Sequence, residues 1–461
     1  MGKQSKQLIK KLEWWRKGHP LIFALLGGIV VYAIFFIISY NRLDPDFGWH
    51  LITGRYILAH GIPYHDLYTY TARGHPWVDH EWGNDVIQAL LFKGGGYLLS
   101  SVFFALIWTT GVLLVGWGRR IIVLILATLA MVPYAGIRPV AWTVMLFALT
   151  LRILQAKNKK WRYILPLLIL IWANLHAGFI AGLALIIYFA VIELNIGLGI
   201  IFVLSAAAAL INPYGINLYR EIASTIFDPN IHNQITEWRS FYITSPSLPY
   251  VLLWLAGFLV FAKPFWKRWI SLGPLLLATA LDASRNLPLF VIVTVAEFND
   301  YANRAITKLL KPKILMQKVI IDLCAALAIV VFFYVVYAAF SPFQSRSADY
   351  PVQAVAYLKE HRCSGNLFND YNYGGYLIWK LPNTPLFIDG IMTTWVNHMN
   401  EYLNIVHDPK KYYYKEFRHY DITCALLSQS SIDQKLLGLL ETNHWQVKAS
   451  GNRSVLLEKP L

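Results

Sequence analysis

The sequence predicts a polytopic α-helical membrane protein, with about eleven apolar runs of crossing length and a C-terminal extracytoplasmic α/β domain. Three observations predict it. Hydrophobic residues make up 56% of the chain and charged residues only 15%, against roughly 25% charged in soluble domains. Lysine and arginine fall in short blocks between the apolar runs, as the positive-inside rule requires. From residue 341 onward charges and turn residues rise, and short strand-like runs alternate with helical ones. The net charge of +15 would point to nucleic acid in a soluble chain. Here topology accounts for it, and nucleic acid is excluded as a partner.

Taken in order, residues 1–20 form a basic, amphipathic cytoplasmic segment with Trp14 and Trp15 as interfacial anchors. The run 21–40 is longer than a signal-peptide core and has no small-residue cleavage site after it, so it predicts a retained anchor. Further runs at 97–117, 121–136, 139–154, 163–177, 179–193, 197–211, 247–262, 269–282, 286–298 and 318–340 complete a transmembrane domain over 21–340. With the N-terminus inside, the clusters at 119–120, 157–162, 263–268 and 303–313 are cytoplasmic. The loops 41–96 and 212–246 and the domain 341–461 then face outward. After Trp82, the residues Val86, Ile87, Leu90 and Leu91 recur at helical spacing beside Asp85 and Gln88, predicting an amphipathic helix on the membrane surface. Three cysteines are too few for a disulfide framework. Cys363 and Cys424 both fall in the last domain, where an oxidising compartment permits one bridge. No internal repeat is present.

Polar residues inside a membrane are costly and mark function by default. Arg138 lies in the hairpin between two apolar runs, and Asn174 and His176 close another in "WANLHAGF". Asp282, Arg285 and Asn286 join two more in "LDASRNLPLF", while Asn212 lies in "INPYG". All of these fall at outward helix ends, and three of the hairpins there are only a few residues long. They predict a water-filled cavity opening outward and reachable from lipid. Glu193 and Glu297 are the exceptions, near inner ends.

The first outer loop begins "LDPDFGWH". Pro45 disfavours helix at Asp44, and in an extended chain residues two apart point the same way. Asp44 and Asp46 are therefore expected to present both carboxylates to one target, with Trp49 and His50 walling the site. The plainer reading is an acidic cap at the next helix N-terminus. Asp79 and Glu81, flanking His80, are further candidates in the same loop.

An acidic pattern in the first large outer loop of such a chain resembles the GT-C superfamily of membrane glycosyltransferases. Four stretches resemble more narrowly a family of bacterial membrane proteins of that type: "DPDFGWHLITGRYILAHG" with "PWVDHEW", "NLHAGF", "NPYG", and "LFNDYNYGGYLIWKLPNTPLFIDG". They reach from residue 44 to residue 390. Where many GT-C enzymes carry Asp-Glu, this chain carries two aspartates split by Pro45.

The resemblance implies transfer of a sugar from a polyprenyl-phosphate donor to a glycan, lipid or protein acceptor at the outer face of the plasma membrane. Such a transfer needs a carboxylate base and positive charge for the departing phosphate. Asp46 is the expected base, with Asp44 orienting it or sharing a Mg²⁺ or Mn²⁺ ion with it. Arg138 and Arg285 are the expected phosphate clamp. His50, Trp49, His80, Glu81, Asn174, His176, Asp282 and Asn286 complete the expected substrate-binding set. In the C-terminal domain, Asp370 and Asp389 should end neighbouring strands and line one crevice, with Tyr371, Tyr373 and Tyr376 available to stack on a sugar. A lipid-linked glycan transporter and a non-catalytic membrane assembly protein are the rival readings of the same residues.

Overall fold

The computed structural model describes residues 20–228, 236–240, 247–262, 269–309, 349–429, 433–451 and 453–460. The expected basic N-terminal segment and the last expected span, 318–340, lie outside the described residues. Helix α1 (Pro20–Asn41) matches the first apolar run, and a tight turn leads into α2 (Phe47–His60). Helix α3 (Trp82–Gly116) covers both the expected loop helix and the second run. It is broken between them: Gly95 and Gly96 leave helical geometry, and Gly96 has φ 62° and ψ −153°, a region open essentially to glycine.

The next helices are α4 (Ile121–Met131), α5 (Val140–Gln155), α6 (Leu165–Ala173), α7 (Phe179–Ile192) and α8 (Ile196–Ala208). They are followed by α9 (Ile216–Phe227), α10 (Leu248–Phe261), α11 (Leu272–Asp282) and α12 (Leu287–Leu309). Among the described residues α1 and α3 are long and apolar enough to cross a bilayer unaided. Most of the others are apolar helices of 10–17 residues, about 15–26 Å long against a hydrocarbon core of about 30 Å. Short helices with short connections leave polar helix ends inside the protein, which is where the site lies. Glu193 is held by Arg162 through two 2.6 Å hydrogen bonds, and Glu297 accepts from the Trp254 indole at 3.3 Å. Structure accounts for both of these inner-end acids.

The first segment of α3 corrects the expectation of a surface helix with its polar side in water. Asn84, Asp85 and Gln88 are fully buried, whereas Leu90 is 52% exposed. The polar stripe is turned inward onto α2, where the Gln88 amide donates to the Phe47 carbonyl at 2.8 Å. Where lipid surrounds the protein, polar side chains gain most by facing other protein groups.

The C-terminal region runs α13 (Val352–Glu360), β1 (Asn366–Asn369), α14 (Gly374–Lys380), α15 (Met392–His407), α16 (Pro409–His419), β2 (Ile422–Ser428), α17 (Gln434–Thr442), β3 (Gln446–Ser450) and β4 (Ser454–Glu458). Its sheet has the order β1-β2-β4-β3, parallel between β1 and β2 and antiparallel elsewhere. The Cys363–Cys424 disulfide ties the segment before β1 to β2.

The first outer loop belongs to this region as much as to the helices. Leu386 bridges Leu367 of β1 on one side and Thr69 of the loop on the other, both in parallel. Leu386 N–H donates to Tyr68 O at 2.9 Å, and Tyr70 N–H donates to Leu386 O at 3.0 Å. Trp49, Tyr68 and Trp77 share one buried cluster with Leu358, Leu367 and Leu377. Each such side chain contributes about 1.5–3 kcal/mol by leaving water, so the helical part and the sheet part share a core. Gly48 and Gly375 meet where α2 crosses α14, and a Cβ on Gly48 would overlap the Gly375 carbonyl.

Candidate active site

Residues 44–47 do not form the extended pair expected from Pro45. Phe47 N–H donates to Asp44 O at 3.2 Å, and Asp46 has φ −89° and ψ −10°, so the segment is a turn that starts α2. The two carboxylates diverge as a result. Asp44 is buried; one of its oxygens accepts from the Asp46 N–H at 3.0 Å and the other from Arg138 Nε at 2.9 Å. Asp46 is half-buried and faces Gly390, whose backbone approaches its carboxylate so closely that a Cβ there would overlap it. With Asp44 occupied by Arg138 and Asp46 turned away, the pair does not fit a shared metal ion. No step is assigned to one.

Burial, and next the nearby Asp44 charge, raise the Asp46 pKa to about 6. His50 and Arg138 oppose that rise. A carboxyl with this pKa is ionised at neutral pH yet basic enough to take a proton.

His50 sits one helical turn after Asp46, its N–H donating to the Asp46 carbonyl at 3.2 Å. Its Nδ1 lies 2.6 Å from Asp85 Oδ1, and its Nε2 lies 3.6 Å from Glu81 Oε2. Glu81 is a point of convergence. His176 Nε2 is 3.2 Å from its Oε1, and His80 Nε2 is 3.7 Å from the same oxygen. Burial, with the surrounding carboxylates, pushes the Glu81 pKa up to about 8, while burial and Arg285 hold His80 down at about 4. Asp79 is buried beside them, one oxygen accepting from the Glu81 N–H at 3.1 Å.

Arg138 bridges two acids, Asp44 and Glu237. Glu237 comes from a short turn in the second outer loop that docks on the α11–α12 connection, where Ser284 N–H donates to Arg239 O at 3.0 Å. The Arg285 guanidinium stacks 4.3 Å over the Trp238 ring and feels Glu237 and Glu81. It makes no ion pair with Asp282, which is exposed and stands outside the cluster. Of the two expected phosphate cations, Arg285 thus keeps its charge available, whereas Arg138 is neutralised on both sides.

Other expected residues have structural roles. The Asn174 amide donates to Leu170 O and Ile211 O, both at 2.9 Å, and its oxygen accepts from the Trp82 indole at 3.0 Å. Asn286 donates to Thr279 O at 3.2 Å and closes the turn after α11. Asp370 and Asp389 do end adjacent parallel segments, as expected, but their carboxylates part. Asp389 is fully buried and interacts with Asp66 and Asp46, whereas Asp370 accepts from Asn372 N–H at 2.7 Å and lies beside Asp433. They do not line one crevice. Tyr373 and Tyr376 are buried in the shared core and offer no face to a sugar. Trp49 lies in the same core, its indole beside Gly390.

The sequence reading missed Asp85 as a site member, and with it Glu237 and Gly390. Asp85 carried a usable signal, being a lone acid in an otherwise apolar helix. Glu237 carried none.

No family model and no curated protein matches the chain. Solved structures do match its fold. ArnT from Cupriavidus metallidurans, bound to undecaprenyl phosphate, superposes with TM-score 0.53 at 13% identity, over 95% of this chain and 97% of its own. The oligosaccharyltransferase AglB from Archaeoglobus fulgidus, in complex with an inhibitory peptide and a dolichol-phosphate, superposes with TM-score 0.58 at 11% identity. That match covers 90% of this chain and 70% of AglB. The apo form of the Archaeoglobus enzyme gives TM-score 0.57 at 12% identity over the same shares. Both proteins are GT-C superfamily membrane transferases.

Proposed function

From a GT-C fold, we propose that this chain is a membrane glycosyltransferase that moves a sugar from a polyprenyl-phosphate donor to an acceptor hydroxyl or amide at the outer membrane face. One observation carries the reading. Asp46, His50, Glu81, Arg138, His176 and Arg285 come from five separate segments and converge at one end of the helical bundle. Neighbours of the same fold bind undecaprenyl phosphate and dolichol-phosphate, which supports a lipid-phosphate donor here. In the reaction Asp46 takes the proton of the acceptor as its heteroatom bonds to the sugar anomeric carbon. The bond from that carbon to the phosphate oxygen breaks, and polyprenyl phosphate leaves with the electron pair beside Arg285.

The Asp46→Asn variant keeps the shape and loses the base. Transfer of labelled sugar from lipid extract should fall about 10²–10⁴-fold in protein with an unchanged detergent-gel profile. Arg285→Ala should mainly raise the donor KM, because a phosphate contact made before reaction is lost. Wild-type transfer by Asp46→Asn would overturn the assignment of the base.

A further inference from the structure

Helices α5 and α6 part around a groove of about 380 Å³ at the end of the bundle remote from Asp46. Helix α5 starts beside Arg138, which pairs with Asp44, and Arg152 lies in its last turn. That is about 20 Å further along the helix axis. Leu149, Ile153, Leu167 and Ile171 line the groove with Trp161, and Arg152 is the charged residue among them. Trp161, Leu167 and Ile171 are exposed, so in a bilayer the groove opens towards lipid.

Its walls are fixed by the turn that closes it. Arg162 is buried there, and its guanidinium donates to Leu154 O of α5 at 2.7 Å and to both Glu193 carboxylate oxygens at 2.6 Å. Asn158 Oδ1 accepts from Lys160 N–H at 3.1 Å and starts the short helical turn into α6. Glu193 thus answers Arg162 and also Lys159. Arg152 differs: among the described residues, its side chain has no hydrogen-bond or ion-pair partner. The same holds for the side chains of Lys157 and Lys160. The α5 dipole favours a cation at this position. It still leaves the N–H donors of the Arg152 guanidinium without an oxygen to bond.

We propose that the groove binds one anionic glycerophospholipid of the leaflet on that side, its phosphate on Arg152 and an acyl chain along Leu149, Ile153, Leu167 and Ile171. A phosphodiester offers two oxygens to the fork of a guanidinium, and basic pockets between membrane helices bind such headgroups. The uncompensated charge of Lys157 and Lys160 in the adjoining turn selects a lipid of net negative charge over a zwitterionic one. Trp161 suits the headgroup level, where indole rings concentrate. The volume falls within the ~300–1,000 Å³ typical of ligand pockets. This site lies apart from the one described above, and it does not depend on the glycosyl-transfer reading.

The test offers the full chain in detergent equal amounts of dioleoyl phosphatidylglycerol and dioleoyl phosphatidylcholine, read by native mass spectrometry. The wild type should retain phosphatidylglycerol in preference. Arg152→Gln should weaken that retention about tenfold, the scale of a lost charge-assisted hydrogen bond. Arg119→Gln removes a cation that pairs with Asp300 at 3.5 Å outside the groove, and should leave retention unchanged. Equal retention of the two lipids by the wild type overturns the anionic preference. An equal loss in both variants shows general surface charge and overturns the site. Glycerol 3-phosphate that displaces the lipid as well as added phosphatidylglycerol does would show that no acyl chain is held, which overturns a lipid as the occupant. Phosphatidylglycerol with a diazirine in its acyl chain should crosslink to wild-type peptides within 149–171. Crosslinks confined to other segments overturn the placement, whether or not the variants fold.

Discussion

As the proposed base, Asp46 must be ionised when the acceptor arrives, and its surroundings place that condition near neutrality. With its pKa raised to about 6 by burial and by Asp44, the base is mostly protonated below that pH and mostly free above it. The pH profile of kcat/KM should therefore fall on the acid side, with a limb near pH 6. Arg138 opposes the rise, so Arg138→Gln should move the limb to higher pH by removing a cation and freeing Asp44's charge. A limb that stays near the ordinary carboxylate range of about 4 in both proteins would show that another group sets the rate. Asp44 was expected to share the chemistry. It instead joins Arg138 to the turn before α2, and such a buried pair contributes mainly by fixing geometry.

The elements around the site explain how a loop can hold the proposed base still. Helix α2 is clamped between the polar stripe of α3 and helix α14 of the sheet region, with close backbone contacts at Gly48 and Gly375. The loop after Leu386 then brings Gly390 against Asp46. The C-terminal region thus forms a wall of the site, where an independent accessory domain was expected. Gly390→Ala should push Asp46 off its position and cost transfer at least tenfold, since small displacements of a catalytic group are expensive. The variant should still fold, as the sheet lies elsewhere; normal transfer with an unchanged melting profile would show that this wall does not reach the base.

For the whole molecule, we propose an orientation from two independent features. The basic blocks of the described residues lie at the helix ends remote from Asp46, and the region built on β1 to β4 carries the Cys363–Cys424 bridge. Disulfides persist in oxidising compartments, so both features support our proposal that the site and the sheet face outside the cytoplasm. Val447 is 52% exposed on β3. A Val447→Cys variant should react with an impermeant thiol reagent in intact spheroplasts. Protection until lysis would invert the topology and move the proposed cavity to the cytoplasmic face.

Composition and spacing alone pointed to the membrane class, to most of the described helices and to the polar residues near their ends. Apolar runs and rare intramembrane charges are local properties, so Asp46, Arg138, His176 and Arg285 were visible without a fold. Partnership was not. Whether Arg285 pairs with Asp282 or stacks on Trp238, and whether Asp44 aids Asp46 or Arg138, depends on segments far apart in the chain. The inward turn of Asp85 and Gln88 likewise followed from what packs against them, since one periodicity serves a helix facing water and a helix facing lipid. Tertiary structure decided the divergence of the two aspartates, because a turn at Pro45 and a helix start at Phe47 overrode the local preference for extended chain. It also decided that the first outer loop and the last domain share a core. Sequence cannot show that when the two are separated by the whole helical bundle.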